Sequence, residues 1–251
     1  MQKILGPFGE NQIKIKQDTT DYANFCEFEK IKEEEWKKLK QKIKKTKGKL
    51  WNDPVYRLAR LTIHHHQYTL YLGSIDFKTH YATEKSIKLL KNLPFEKCPN
   101  GMFISGYLET KDHYLVLGIR NENNIPMVAK ISLLGGMLSP KEHFIASGSD
   151  LTSAFLKELN EETSLQSNSV VLTKPLGIYI SDSFRVGVFL YCKLNKTKEE
   201  IMKIMKLNQE HKALIFWPKQ KLEKNLNLPQ IHPNIRGTFH DYLNLFSSLG
   251  A

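Results

Sequence analysis

The residues best placed to do chemistry lie in one short acidic run, Lys157-Glu158-Leu159-Asn160-Glu161-Glu162. Wound as a helix of about 3.6 residues per turn, this run puts Glu158, Glu161 and Glu162 within an arc of roughly 100°, while Leu156 and Leu159 turn to another side. Like charges at such spacing destabilise a helix by roughly a few tenths of a kcal/mol per pair, so something positive should compensate. Clustered carboxylate oxygens suit hard divalent cations, Mg²⁺ first and Mn²⁺ as an alternative. A short glutamate-rich helix face is also common on a solvated surface, so the run gains meaning only from what surrounds it.

The elements that must position it are readable on both sides. A β-rich segment ends in Gly135-Gly136, where a backbone without side chains can approach an ion or a phosphate closely. A loop then enters the acidic helix through Ser147-Gly148-Ser149-Asp150, which is good N-cap chemistry. Strand, glycine turn and acidic helix form one unit.

This unit resembles the Nudix box, G-x5-E-x7-R-E-U-x-E-E-x-G-U with U aliphatic. Gly136-x5-Glu142 fits its first part, and Lys157-Glu158-Leu159-x-Glu161-Glu162-x-Ser164-Leu165 its second. Three departures stand out: fourteen residues in place of seven between Glu142 and the second half, Lys157 for the arginine, and Ser164 for the glycine. Flanking segments extend the likeness over about residues 50 to 248. Leu50-Trp-Asn-Asp-Pro-Val-Tyr-Arg57-Leu58, Leu72-Gly73, Tyr107 to Val116, Lys174-Pro-Leu-Gly-Ile178 and Glu210 to Phe216 are similar, in that order, to the branch of the Nudix family that cleaves UDP-glucose and UDP-galactose in animals. The resemblance implies a Nudix α/β/α sandwich with a mixed sheet. It implies Mg²⁺ on Glu158, Glu161 and Glu162, aided by the Gly136 carbonyl, and hydrolysis of a nucleoside diphosphate sugar to UMP and a sugar 1-phosphate. One of the three glutamates would also serve as the base. Other Nudix reactions, on ADP-ribose, dinucleotides or RNA caps, stay open, as does an inactive scaffold that binds a nucleotide or a protein.

Other residues carry weaker signals. Arginine is scarce, with five against thirty-two lysines, which draws attention to Arg120 at the end of an expected strand as a diphosphate contact. Lys130 faces a similar role, although a solvated strand-end charge explains it as well. Arg57 either reaches the substrate or bridges the two halves of the chain. His64-His65-His66 invites a metal reading, but neighbours on a strand point to opposite faces, and a polar turn between strands accounts for them better. Cys26, Cys98 and Cys192 are odd in number and far apart, which gives neither a disulfide framework nor a zinc knuckle and makes a reducing compartment the default.

A chain of 251 residues can bury a sizeable core, and no apolar run approaches the roughly 18 residues of a membrane span. No signal peptide is visible, so a cytoplasmic location is expected. The net charge of +11 is concentrated: residues 30 to 49 hold ten lysines and three glutamates. Apolar residues Phe28, Ile31, Trp36, Leu39 and Ile43 recur there at helical spacing, which predicts an amphipathic helix whose lysines are solvated and disfavours nucleic acid as a partner. Strands are expected over 55–63 and 68–73, a helix over 82–93, and a domain division near residue 98, at the turn cluster Pro99-Asn100-Gly101. Residues 1–98 would then form a smaller α+β domain and residues 99–251 the Nudix domain, with strands at 102–108, 114–119, 127–134, 177–180, 186–194 and 213–217. Helices are expected at 150–163, 198–206 and 235–248. The sequence sets no oligomeric state.

Overall fold

A computed structural model of the chain describes residues 2–6, 8–46, 50–121, 130–208 and 210–248. In chain order its elements are β1 (Gln2–Leu5), β2 (Ile13–Gln17), α1 (Cys26–Thr46), β3 (Pro54–His64), β4 (Gln67–Asp76), α2 (Phe77–Thr83) and α3 (Ile87–Leu90). There follow β5 (Met102–Glu109), β6 (Tyr114–Arg120), β7 (Ile131–Ser132), α4 (Gly148–Thr163), β8 (Val170–Ile180), β9 (Val186–Leu194), α5 (Lys198–Ile204), β10 (His211–Pro218), α6 (Lys219–Asn225) and α7 (Pro233–Ser248).

The central strands are apolar at nearly every position because both faces of their sheet are covered. On β9, Val186, Val188, Leu190 and Cys192 join one core, and Phe189 and Tyr191, pointing the other way, join a second. On β5, Ile104 and Leu108 face the first core and Tyr107 the second. Helix α4 supplies Ala154, Phe155 and Leu159 to the first, and α7 supplies Ile235, Phe239 and Tyr242 to the second. The result is an α/β/α sandwich around a mixed sheet of order β1-β8-β9-β5-β6-β10, with β7 also on β6 and only β5 and β9 parallel. Helix α4 crosses β5 at Gly106, where a Cβ would lie 2.4 Å from the Phe155 ring. That close passage fixes the height of the acidic helix over the sheet.

A second, three-stranded sheet has the order β2-β4-β3. Its hairpin β3–β4 turns at His65 and His66, both at positive φ (47° and 61°), so the histidine run is the polar turn expected of it. Leu58, Leu70 and Leu72 of this sheet share one continuous core with Ile104, Leu151 and Phe155, and β1 adds to the edge of the large sheet beside β8. The boundary near residue 98 therefore does not separate two hydrophobic cores. A small separate cluster of Phe28, Ala82, Leu90 and Cys98 does form under α1 and α3.

Helix α1 buries Phe28, Trp36 and Leu39 and leaves its lysines outward, several beside glutamates (Lys38–Glu35, 2.6 Å). The single helix expected over 82–93 is instead two short ones. Asp76 starts α2 earlier by accepting from the Thr79 amide at 2.8 Å, and the hydroxyls of Thr83 and Ser86 donate back to the Thr79 and Ala82 carbonyls, which competes with helix continuation. Strand β8 is longer than expected because Pro175 is accommodated at a register shift between Pro175 and Gly177. Of the strand expected over 127–134, Ile131 and Ser132 form β7, while residues 127–129 lie outside the described residues. Among the described residues no helix is long and apolar enough to cross a membrane.

Arg57 is buried (1% exposed) on β3, where its Nε and Nη1 donate to the carbonyls of Cys98 (3.0 Å) and Thr20 (2.8 Å) and Nη2 donates to that of Glu96. All three nitrogens are committed to main-chain oxygens. Arg57 is thus a pin between β3 and the 96–98 turn.

Candidate functional site

The site forms where the large sheet splits. Strand β5 pairs with β6 only at Leu108 and Glu109. Below that point residues 134–138 slip in beside β5, with Gly106 N donating to Leu134 O (3.1 Å), Ile104 N to Gly136 O (2.9 Å) and Leu138 N to Met102 O (3.1 Å). Gly135 and Gly136 occupy the middle of this segment, and each is required. At Gly135 φ is +132° and a Cβ would meet Ile104 O at 2.1 Å. At Gly136 a Cβ would lie 2.0 Å from Glu158 Oε2. The glycine pair lets the backbone lie flat against β5 while the Glu158 carboxylate rests on it. The Gly136 carbonyl, expected as a metal ligand, accepts from Ile104 N and keeps a second lone pair.

Helix α4 presents the three glutamates differently. Glu158 is buried beside the cleft, Glu161 stands exposed at its rim, and Glu162 turns into the interior (1% exposed), where its Oε2 accepts from Gly135 N at 2.7 Å. Burial pushes the Glu158 carboxyl above the usual carboxylate range, opposed by His143 and reinforced by Glu161 and Glu210. Burial pushes Glu162 well above that range, opposed by Arg120 and the Gly135 amide. The other Glu162 oxygen has no hydrogen-bond partner and lies 3.8 Å from His211 Nδ1. Burial, then Arg120, push His211 down to about 3.

Both ends of α4 are tied to the site. At its start Ser147 and Asp150 form a capping box, with Asp150 Oδ2 accepting from Ser147 N at 2.8 Å. At its end Ser164 takes the left-handed conformation (φ 60°), and the returning chain donates Lys206 N to Thr163 O and Asn208 N to Glu162 O. That return brings Glu210 into the cleft. Glu210 Oε2 accepts from Arg120 Nη1 at 2.7 Å, and Arg120 Nη2 reaches Gly135 O at 3.5 Å. Arg120 thus lines the cleft, as expected, but with its guanidinium braced against Glu210. Lys130 does not line it; its carbonyl accepts from Arg120 N at 3.1 Å.

The cleft has a volume of about 500 Å³. Its acidic wall carries Glu142, Glu158, Glu161 and Glu210, and Arg120 and Arg185 bring positive charge. Arg185 is held by Glu84 at 3.0 Å and its Nε has no partner. The opposite wall comes from the N-terminal half: Trp51 and Phe77, with ring centroids 4.1 Å apart, and His80. Asn52 anchors this wall by accepting from Lys78 N (2.7 Å) and donating to Asp76 (3.1 Å), and Asp53 meets Lys141 at 2.9 Å across the rim. Sequence reasoning assigned no role to Trp51, Phe77, Arg185 or Glu210. The scarcity of arginine was the available signal for Arg185, and Trp51 and Glu210 both lie within segments already singled out.

Lys157, in the place of the box arginine, donates to the Glu142 carbonyl at 3.0 Å rather than to its carboxylate, and lies 3.6 Å from Glu161. The Glu142 side chain is left to the cleft. One ligand atom each of Glu142, His143 and Glu158 falls within 4.8 Å of the others. Carboxylate oxygens converging on one concave, positively braced pocket fit a hard divalent cation.

No protein-family profile matches this chain, and no curated protein matches it. Solved structures similar to part of it include the MutT protein of Methanosarcina mazei Go1, at 17% identity and TM-score 0.43 over 57% of this chain and 92% of that one. An Ap4A hydrolase of C. elegans is similar at 12% identity and TM-score 0.42, over 58% of this chain and 98% of the other. The NUDIX domain of Shewanella oneidensis NrtR, complexed with ADP ribose, is similar at 16% identity and TM-score 0.41, over 57% and 87%.

Proposed function

We propose that the chain is a divalent-metal-dependent hydrolase of the Nudix type that splits the diphosphate linkage of a nucleotide derivative, with UDP-glucose and UDP-galactose as leading substrates. One observation carries this reading: the Glu158 carboxylate rests on Gly136, at a break in the sheet, inside a cleft that also holds Glu142, Glu161, Glu210 and two arginines.

Glu158 and Glu161, with Glu142 beside them, would hold the cation, which when bound supplies charge neutralisation for the diphosphate and polarises water. Arg185 and Arg120 draw the diphosphate inward and resist its repulsion from the acidic wall. Trp51 offers an exposed aromatic face for a nucleobase, backed by Phe77. Among the three helix glutamates Glu161 is the most exposed, and it is the one assigned to accept the proton of the attacking water at its carboxylate. Cleavage of UDP-glucose in this way yields UMP and glucose 1-phosphate.

A second reading is a nucleotide-binding module without turnover. The withdrawal of Glu162 from the cleft, with its acid form favoured by burial, speaks for it. Product analysis separates the two. Purified protein is incubated with UDP-glucose, UDP-galactose, ADP-ribose, NADH and capped RNA, with Mg²⁺ or EDTA, beside Glu158→Gln and Glu161→Gln. UMP released from UDP-sugars only with metal and intact glutamates is the expected result. Nucleotide binding without turnover of any compound would leave the binding module.

A further inference from the structure

His143 lies within the fourteen-residue stretch that lengthens the box, and its ring is buried (4% exposed) against Glu158. Its Nε2 is 3.3 Å from Glu158 Oε1, and both side chains are closed to solvent, at 2% and 11% exposure. The ring's other nitrogen decides its state. Nδ1 faces the Ser139 amide, which donates to it at 3.3 Å, so Nδ1 carries a lone pair and the proton of the neutral ring sits on Nε2. An Nε2–H cannot bind a cation, but it can donate to a carboxylate.

The backbone beneath the ring is held on three sides. His143 N donates to Ser139 O (2.8 Å), Tyr56 OH on β3 donates to His143 O (3.0 Å), and Lys157 of α4 secures the preceding carbonyl of Glu142 (3.0 Å). The loop insertion therefore holds Nε2, which has no hydrogen-bond partner in this structure, 3.3 Å from one oxygen of Glu158, and the other oxygen lies against Gly136.

We propose that His143 is a positioning residue: its Nε2–H orients the Glu158 carboxylate, through Oε1, for a divalent cation. This rests on the reading of Glu158 as a metal ligand. Partners of this kind behind a ligating carboxylate change metal affinity by roughly 10–100-fold when removed.

The test is Mn²⁺ binding to the full chain, read by the electron paramagnetic resonance of free Mn²⁺, for wild type, His143→Gln and His143→Asn. The glutamine amide extends as far as Nε2 and keeps a donor toward Glu158. The asparagine keeps an acceptor near Ser139 N but is too short to reach Glu158. His143→Asn is expected to weaken Mn²⁺ about 10–100-fold, with His143→Gln within a few-fold of wild type. Spin-echo spectra of the wild-type complex should lack the coupling of a directly bonded nitrogen. Affinity in His143→Asn equal to wild type, equal losses in both folded variants, or a directly bonded nitrogen would each overturn the assignment while leaving the metal site standing. Absence of Mn²⁺ binding in the wild type would overturn the metal reading itself, and the proposal with it.

Discussion

The Glu158 carboxylate occupies the space that a side chain at position 136 would need: a Cβ on Gly136 would lie 2.0 Å from Oε2 and 2.6 Å from the carboxyl carbon. The backbone at Gly136 has no left-handed φ, unlike that at Gly135, so alanine fits the chain locally and collides only with the glutamate. Gly136→Ala is therefore expected to keep the fold and displace Glu158. Misplacement of a reacting group by an ångström costs on the order of 100-fold in rate. Circular dichroism and UMP release measured together check this, and full activity in the folded variant would remove Glu158 from the site.

Trp51 is 42% exposed and rests on Phe77, so it is supported from behind and open in front. A base stacked on such a ring is worth roughly 1–3 kcal/mol. Trp51→Ala should raise KM for a nucleotide substrate by about 10-fold or more, with kcat within a few-fold, and Trp51→Phe should recover most of the loss. A fall in kcat at constant KM would show that the ring acts on the chemistry instead of on binding.

His232 Nδ1 accepts from Asn234 N at 3.1 Å at the start of α7, a bond that protonation of Nδ1 would break. Burial first, then the charges of Arg120, Arg185, Lys130 and Arg236, push this histidine down to about 3. A depressed value means that the contribution to stability is complete above the ordinary histidine range. It is lost as pH falls below about 6.5, because the unfolded chain takes up a proton that the folded chain refuses. Asparagine keeps the acceptor and does not titrate. His232→Asn should match wild type near neutral pH and reduce the slope of stability against pH below 6.5 by up to about 1.4 kcal/mol per pH unit. Urea unfolding at a series of pH values reads this, and parallel curves would sink it.

Ser164 ends α4 at φ 60°, a conformation that costs a residue with a Cβ about 1 kcal/mol. Its hydroxyl gives little back, reaching Lys206 O only at 3.4 Å. Ser164→Gly should stabilise the protein by roughly 0.5–1 kcal/mol, seen as a higher Tm with unchanged turnover. A lower Tm would mean that the loss of the hydroxyl and the added freedom of the unfolded glycine outweigh the relief.

Much of this architecture could be read from the chain. Strands β5, β6, β9 and β10 are apolar at most positions because helices cover both faces of their sheet, and α4 begins where Ser147 and Asp150 supply cap chemistry. What escaped depends on distant partners. Strands β1 and β2 were both missed: β1 is short and finds its hydrogen bonds on β8, and β2 finds its own on β4. The three glutamates were visible as one helical face, but that arc spans the boundary between interior and solvent. Only packing against Gly135 and Gly136 decides that Glu162 turns inward while Glu161 stays out. The role of His143 is invisible in sequence because Ser139 and Glu158, which define it, meet it only after the loop folds.

Strand β1 pairs with β8 through partners as far apart as Gln2 and Ile180, so 177 residues of chain lie between two neighbours in one sheet. Closing so long a loop yields only a short ladder, which makes this pairing a late event in folding and an early one to open. While the seam between β1 and β8 is open, the β8 edge presents unpaired amides and carbonyls.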